Sequence, residues 1–360
     1  MDKDKLLRVG IAGYGVVGKR RRMHIDQHQS LQTVAVCDRK FRESGVMADG
    51  VKSFTNYKEL LDESLDILFV CLPNYLAAEA TIAGLEKGLH IFCEKPPGRD
   101  VADIRRVIDV EKRHPGQLLK YGFNHRYHDS VRDALKIVKS GELGEIVNLR
   151  GIYGKSKIIT FSGDGAWRAE RKYAGGGILL DQGIHMVDLM RLFCGDFRKV
   201  KSFISNEHWN HDVEDNAYAI MQDDKGRIAM LHSSATQWQH RFSLHIALTK
   251  GYLELRGILS GSKSYGVERL AIGRRSHESD TGSQHEEVIS YLEDNSWRDE
   301  IYEFADNIIN RNGVQYGGSK DGLETMKLVY RIYYADPQWR DAYGINNPDE
   351  EELIKQEDKI

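Results

Sequence analysis

Apolar positions follow two different rhythms along the 360-residue chain. From Leu7 to Gly122, short continuous apolar runs alternate with stretches of helical period. LRVGIA, TVAVCD, LDILFVCLP, LHIFCEKP and QLLKYGFN read as buried strands. Val16 to His28, YKELLDE, YLAAEATIAGLEKG and VADIRRVIDVEKRHP read as helices. This alternation predicts an α/β unit with a doubly wound parallel sheet. Beyond Gly122 one more helix, SVRDALKIVKSG, gives way to long alternating stretches: EIVNLRGIYGK, NAYAIMQDDKGRIAMLHSSATQW and FSLHIALTKGYLELRG. These predict antiparallel strands, several joined as hairpins. WRDEIYEFADNIIN and SKDGLETMKLVYRIYYAD add amphipathic helices, so the second region reads as α+β with a large, mainly antiparallel, open-faced sheet. Its uncovered face is available to a cofactor, a substrate or a second subunit. The pattern divides the chain into residues 1–122, residues 123–335 and a charged tail, 336–360, nearly devoid of large apolar side chains toward its end.

Composition narrows the classes without choosing among enzymes. With 41% hydrophobic and 29% charged residues the chain can bury a substantial core. Its 51 basic and 54 acidic side chains leave a formal charge of -3, so no global field is present to hold a nucleic acid. No apolar stretch reaches the length of a membrane helix and no secretory leader precedes the first strand. Cys37, Cys71, Cys93 and Cys194 are scattered without CxxC pairing, which predicts a cytoplasmic, reducing home.

Chemistry enters at the first turn. In VGIAGYGVVGKRRRMHI, Gly13, Gly15 and Gly18 stand between a predicted strand and a predicted helix. There the first glycine permits the turn, the second admits a pyrophosphate and the third allows close packing of helix on strand. An acid about twenty residues later is the partner expected for a ribose hydroxyl, and Asp38 closes the second strand at that distance. Asp38 would repel a 2′-phosphate whereas the neighbouring Arg39 would attract one, so NAD is favoured and NADP stays open. Lys19, Arg20, Arg21 and Arg22 cannot all face one ligand, because successive helical residues turn by about 100°. Most are expected on a solvated face, with one free to touch the cofactor or a substrate phosphate.

Further motifs make the pattern specific. CLPNYLAAEATIAGLEKGLHIFCEKPPG, GFNHRYHDSVRDALKIVKSGELGEI, the GGGILLDQGIHMVDLM run after Trp167 and Arg168, and VEDNAYAIM occur in that order. With the glycine turn upstream, the chain up to about Ala335 resembles the glucose-fructose oxidoreductase, inositol dehydrogenase and MocA (Gfo/Idh/MocA) family. The resemblance implies a Rossmann domain holding NAD through Gly13, Tyr14, Gly15, Val16, Val17, Gly18, Asp38, Arg39, Leu72, Pro73, Asn74, Glu94, Lys95 and Asn124. It implies that Lys95, Asp181 and His185 line the nicotinamide pocket, and that the Lys95–Pro96 bond is cis. Two departures are visible. Ala77 stands where the family commonly has a histidine after its PN pair, and Pro97 extends the usual EKP.

Oxidising a secondary alcohol requires a base with a pKa near neutrality, which suits His185. Lys95 would hydrogen-bond the reacting oxygen and Asp181, four residues before His185, would lie on the same helical face and orient the imidazole. The spacing of Asp181 and His185 lacks a third metal ligand, and no metal is expected. Arg126, Tyr127, Lys155, Trp167, Arg168, Trp238 and His240 offer plates and donors appropriate to a sugar-like substrate, joining Lys95, Asp181 and His185. The expected activity is NAD(P)-dependent hydride transfer at a CH–OH carbon of a free sugar, inositol, sugar acid or nucleotide-linked sugar. Two other readings use the same architecture: a glycosidase with transient redox, and a non-catalytic nucleotide-sensing or partner-binding protein. No nucleic-acid or membrane partner is expected, and the open sheet predicts a homodimer or homotetramer.

Overall fold

The computed structural model describes residues 6–158, 166–275 and 286–350. The chain forms two compact units: the residues up to Asn124 with Ser296–Leu323, and His125–Asn295 with the chain from Glu324 onward.

In the first unit the order is β1 (Leu7–Ala12), α1 (Val16–Ile25), β2 (Leu31–Cys37), β3 (Gly45–Val46), β4 (Lys52–Phe54), α2 (Tyr57–Leu60), β5 (Ile67–Val70), α3 (Asn74–Glu86), β6 (His90–Glu94), α4 (Val101–Glu111) and β7 (Leu119–Gly122). The strands line up as β3-β4-β2-β1-β5-β6-β7. All pairs are parallel except β3 with β4. Because β1 has β2 on one side and β5 on the other, strand order reverses beside it, and the crevice beyond its carboxyl end is where doubly wound sheets bind ligands. The helices follow local rules. In α4 the Asp100 carboxylate caps the Asp103 N–H at 2.8 Å, and Val101, Ile104, Val107 and Val110 bury one stripe.

The second unit contains α5 (Asp129–Ser140), β8 (Ile146–Gly154), α6 (Arg171–Ala174), α7 (Ile184–Cys194), β9 (Phe197–Ser205), β10 (Asn216–Asp223), β11 (Ile228–Ser234), β12 (Arg241–Leu248), β13 (Gly251–Arg256), β14 (Glu268–Arg274) and β15 (Glu286–Tyr291). The strand order is β15-β14-β13-β12-β8-β11-β10-β9, with β8 and β11 the single parallel pair among those described. Strand alternation sorts the residues by face. Ala217, Ala219, Met221, Ala229 and Leu231 are buried, whereas Phe203, Tyr218, Ile220 and Met230 are exposed. α7 packs so closely on the buried face that a Cβ on Gly151 would lie 2.5 Å from the Met190 terminal methyl.

Two boundaries differ from the pattern read in the sequence. α8 (Ser296–Asn310) was grouped with residues 123–335, but Ile301, Phe304, Ala305 and Ile308 join Leu7, Val9, Ile11, Phe69 and Phe92 in the core of the first unit. An amphipathic period shows that a helix has a face to bury, not which core receives it. α9 (Ser319–Ala335) follows, and the stretch read as tail from 336 begins with another helix, α10 (Pro337–Tyr343). Asp336 caps α10 through the Trp339 N–H at 3.0 Å, and Trp339 is buried. Further along, Asp349 receives both arms of Arg331 at 2.7 and 2.6 Å. Residues 351–360 lie outside the described residues.

Candidate functional site

The glycine turn follows the last residue of β1. Gly13 has φ +97°, and a Cβ there would clash with the Cys71 carbonyl, while a Cβ on Gly18 would clash with the Gly13 carbonyl. Gly15 differs from both: it is exposed and nothing lies within 4 Å of its missing Cβ. That open space borders the start of α1, which has no side-chain cap and no acid in its first turn, as an anion-binding helix start requires. Gly13 and Tyr14 donate their N–H groups to the Cys37 carbonyl at 3.0 and 2.9 Å, which ties the turn to the end of β2. Asp38 comes next and is half-buried; its Oδ1 accepts the Lys40 N–H at 3.0 Å, so it caps a turn directly after β2. Arg39 is exposed beside it. Leu72 and Pro73 are half-buried, Asn74 opens α3, and the Cys71 N–H bonds the Ala12 carbonyl at 2.7 Å, placing this segment beside the glycine turn. Val16 is exposed, and Asn124 is buried with its amide donating to the Ser296 hydroxyl at 3.1 Å. A space that a Cβ would fill, an uncapped helix start and an acid at the end of β2 together fit a dinucleotide.

The cation run divides three ways. Lys19 is exposed; Arg20 is half-buried over the Trp297 ring at 4.4 Å; Arg22 bonds Asp26 and the Tyr14 hydroxyl at 3.0 and 2.9 Å. Arg21, by contrast, is fully buried between Glu94 at 2.6 Å and Glu300 at 2.9 Å, with Trp297 and Phe92 rings 4.3 and 4.5 Å away. The expected solvated face therefore holds at Lys19 alone: Arg20 and Arg22 are half-buried against Trp297 and Tyr14, and Arg21 is sealed because the acids that neutralise it come from β6 and α8. Burial pushes the Glu300 carboxyl up to about 7, even though the Arg21 and Lys120 charges pull the other way. Lys120, also buried, bonds Glu303 and the Tyr316 carbonyl, both at 2.9 Å. Glu94 thus ends β6 in the grip of Arg21, directly before the cis Lys95–Pro96 bond. Lys95 is half-buried.

In the second unit the polar centre is assembled by a π turn, Leu179–Gly183, that runs straight into α7. π turns of this length mark sites where a helix is locally widened. Glu214, completely buried, holds the preceding glycines: it accepts the Gly177 N–H at 2.7 Å, the Leu179 N–H at 2.9 Å and the Tyr333 hydroxyl at 2.7 Å. Burial raises the Glu214 carboxyl, partly offset by the Tyr333 and Gly177 hydrogen bonds. Side chains on Gly176 and Gly177 would strike Tyr333 and the Glu214 backbone, so this approach needs both glycines. The turn carries Asp181 toward Lys155 Nζ at 3.3 Å and Arg168 Nε at 3.5 Å, and Arg168 stacks on Trp167 at 4.3 Å. His185, 6% exposed, follows on α7 and lies face to face with His125. Gln182 bonds the Tyr265 hydroxyl, and Tyr265 packs edge-on to Tyr153 at 5.4 Å.

Other sequence-picked residues are placed less centrally. Arg126 is buried and forked onto Asp188 at 2.7 and 2.6 Å, which makes it a tie between the 124–127 turn and α7 rather than an open donor. Tyr127 is buried under Arg132. His240 bonds Ser156 and Ser264 at 3.1 and 2.7 Å, and Trp238 is 67% exposed, edge-on to His208. Sequence reasoning missed Arg21, His125, Tyr153, Gln182, Glu214 and Tyr265. His125 and Glu214 lie inside quoted motifs, NHRYH and VEDN, but their partners come from distant segments that periodicity does not connect.

Residues 7–123 match an oxidoreductase family with an NAD-binding Rossmann fold, and residues 131–254 match the GFO/IDH/MocA C-terminal domain. D-glucoside 3-dehydrogenase of Escherichia coli (strain K12) is 29% identical over 251 residues, covering 63% of this chain and 70% of that protein. Inositol 2-dehydrogenase of Salmonella typhimurium is 24% identical over 266 residues, 71% of this chain and 76% of that protein. Among solved structures, levoglucosan dehydrogenase in complex with NADH superposes with a TM-score of 0.80 at 19% identity, covering 93% of this chain and 98% of that one. myo-Inositol 2-dehydrogenase from Lactobacillus plantarum gives 0.72 at 25% identity, with 92% and 97% covered. These relatives do not favour the glycosidase or the non-catalytic reading. The chain belongs to the GFO/IDH/MocA oxidoreductase family, and its first unit is an NAD-binding Rossmann domain.

Proposed function

We propose that the chain is a dehydrogenase/reductase of sugars or inositols that uses NAD(H) in preference to NADP(H). The observation that carries the substrate reading is the setting of Asp181 on the π turn: Lys155 and Arg168 reach its carboxylate, Trp167 lies under Arg168, and His185 is buried at the start of α7 that follows, a set suited to a polyhydroxylated ring. The names of the relatives support the same class. Asp38 supports NAD.

NAD(H), held at the glycine turn and Asp38, would supply the acceptor or donor of a hydride. His185, buried on α7, takes the hydroxyl proton from the alcohol. Asp181, steadied by Lys155 and Arg168, orients the base and the substrate hydroxyls. Lys95 hydrogen-bonds the reacting oxygen and holds its charge as the proton leaves. Lys95→Ala is expected to lose at least about a hundredfold in turnover with NADH binding retained; undiminished turnover would remove Lys95 from the reaction. A 340 nm screen of inositols, free sugars, sugar acids and nucleotide sugars, with NAD and NADP in parallel, tests the reading. Absence of any NAD(P)-linked turnover would sink it, and stoichiometric NADH formation separates it from a redox-neutral glycosidase.

The assembly is proposed as a homodimer or homotetramer closed over the open sheet face. Phe203, Tyr218, Ile220, Ile228 and Met230 expose a contiguous apolar surface there, Phe203 to 80%. A monomer by light scattering would overturn this. A cytoplasmic location is supported by four cysteines that are all unbridged, and no described helix is long and apolar enough to cross a membrane.

A further inference from the structure

Behind His185 lies a set of rings that the proposed chemistry leaves unused. The His125 and His185 imidazoles are stacked, centroids 3.7 Å apart and planes 14° from parallel, and both residues are buried. Histidine's second side-chain torsion is broad, so a ring needs neighbours to fix its plane. His125 has them. Its Nε2 lies 3.1 Å from the Tyr153 hydroxyl, His128 meets it edge-on at 5.3 Å, and Phe242 does so at 5.9 Å. The His128 Nδ1 is in turn 2.7 Å from Glu268 Oε2, and the Arg126–Asp188 fork ties the same turn to α7.

We propose that His125 is a positioning residue for His185: lying flat against it, the second imidazole fixes the plane in which His185 takes its proton and limits the stacked pair to a single positive charge. This rests on the reading of His185 as the base. An imidazolium is accommodated on the face of a neutral ring, as in other cation–π contacts. Two imidazoliums stacked in a buried site repel, so the pair titrates as a unit. Among the described residues, the charged and titratable groups near the pair include Tyr153 from β8, Arg126 and His128 from the 124–128 segment, Asp188 from α7, Glu268 from β14, and Asp181 with its Lys155 and Arg168 partners. Burial keeps the Tyr153 hydroxyl protonated far above its ordinary range. Burial raises the Glu268 carboxyl too, but the His128 and Ser130 hydrogen bonds outweigh it and hold Glu268 ionised. Across the neutral range these two neighbours therefore keep fixed charges.

The test is carbon-detected histidine NMR on the full-length, cofactor-free protein, with resonances assigned by His125→Phe and His185→Phe. The expected result is two coupled steps in the parent protein and one displaced step for His185 in His125→Phe. Independent single-step titrations, with His185 unmoved by His125→Phe, would overturn the proposal. In turnover with the substrate that the 340 nm screen returns, His125→Ala is expected to lower kcat about ten- to hundredfold with KM little changed. His125→Phe, which keeps a flat ring, is expected to recover most of kcat while the acid limb of the pH profile stays shifted. A His125→Ala profile superimposable on the parent's would also overturn it. Should His185→Ala retain turnover, the base assignment fails instead, and the NMR titration still decides the stacking claim.

Discussion

In the first unit the proposed cofactor surface is backbone and the charges behind it are sealed; in the second the proposed substrate surface is side chain, and its charges keep some contact with water. Arg21 and Glu300 are 0% exposed, whereas Arg168 and Asp181 are 24% and 23% exposed. A cradle for a dinucleotide needs room, which glycines give, and a rigid frame, which a buried ion cluster gives. A centre that handles protons and a polar ring needs groups that can exchange partners. The two regions are thus expected to fail differently when altered, the first by unfolding and the second by losing chemistry while staying folded.

Arg21→Met should produce the largest loss of stability. Removing one partner of a buried charge cluster leaves Glu94 and Glu300 facing an apolar side chain, a change that typically costs about 3–5 kcal/mol. Urea unfolding should show it, together with weaker NADH binding as β6 loses its anchor. Asp181→Asn, at the half-open centre, should cost less than about 1 kcal/mol in the same measurement yet abolish most turnover. Equal losses of stability in the two variants would break the contrast.

A smaller effect sharpens the first half of it. Glu300 holds its proton up to about pH 7 in the folded chain, against 4.5 ordinarily, because of burial. Between those values the folded state binds more protons than the unfolded one, so this group makes stability fall as pH rises, and the fall ends above pH 7. Shared with Arg21, the change amounts to at most roughly 3 kcal/mol. Glu300→Gln cannot titrate, so its melting temperature should gain on the parent's from about pH 4.5 to 7 and then keep a constant lead. A pH-independent difference would mean that Glu300 is ionised throughout that range.

How far each region could be read from sequence follows from the same physics. The parallel sheet was legible because buried strands such as ILFV and helices such as VADIRRVIDVE carry their own period. β9 does not stand out in the pattern because its FRKVKSFIS run exposes Arg198, Lys199 and Lys201 together with Phe203 and buries only Phe197 and Ser202, which blurs the alternation. α10, with seven residues, is too short for a helical period to emerge. Asp38 and the glycines could be found because their roles depend on local backbone and fixed spacing. Arg21 inside a cation run, and His125 against His185, depend on partners from other segments, and spacing along one segment does not encode a stack or an ion pair across two.

Gly15 offers the finest discrimination, because its two companions in the turn, Gly13 and Gly18, separate room for the fold from room for a ligand. Gly18 has no space for a Cβ and Gly13 is held in the left-handed region, so alanine at either disturbs the protein itself. Gly15 has φ −78° and ψ −156°, a conformation that alanine adopts, and open space around its Cβ position. Gly15→Ala should therefore leave stability within about 0.5 kcal/mol of the parent. Its methyl group nevertheless stands where a pyrophosphate would approach, and NADH affinity, read by fluorescence titration, should fall about tenfold, or about 1.4 kcal/mol. Affinity equal to the parent's would mean that the phosphates lie elsewhere, and that the space beside Gly15 serves neither fold nor cofactor.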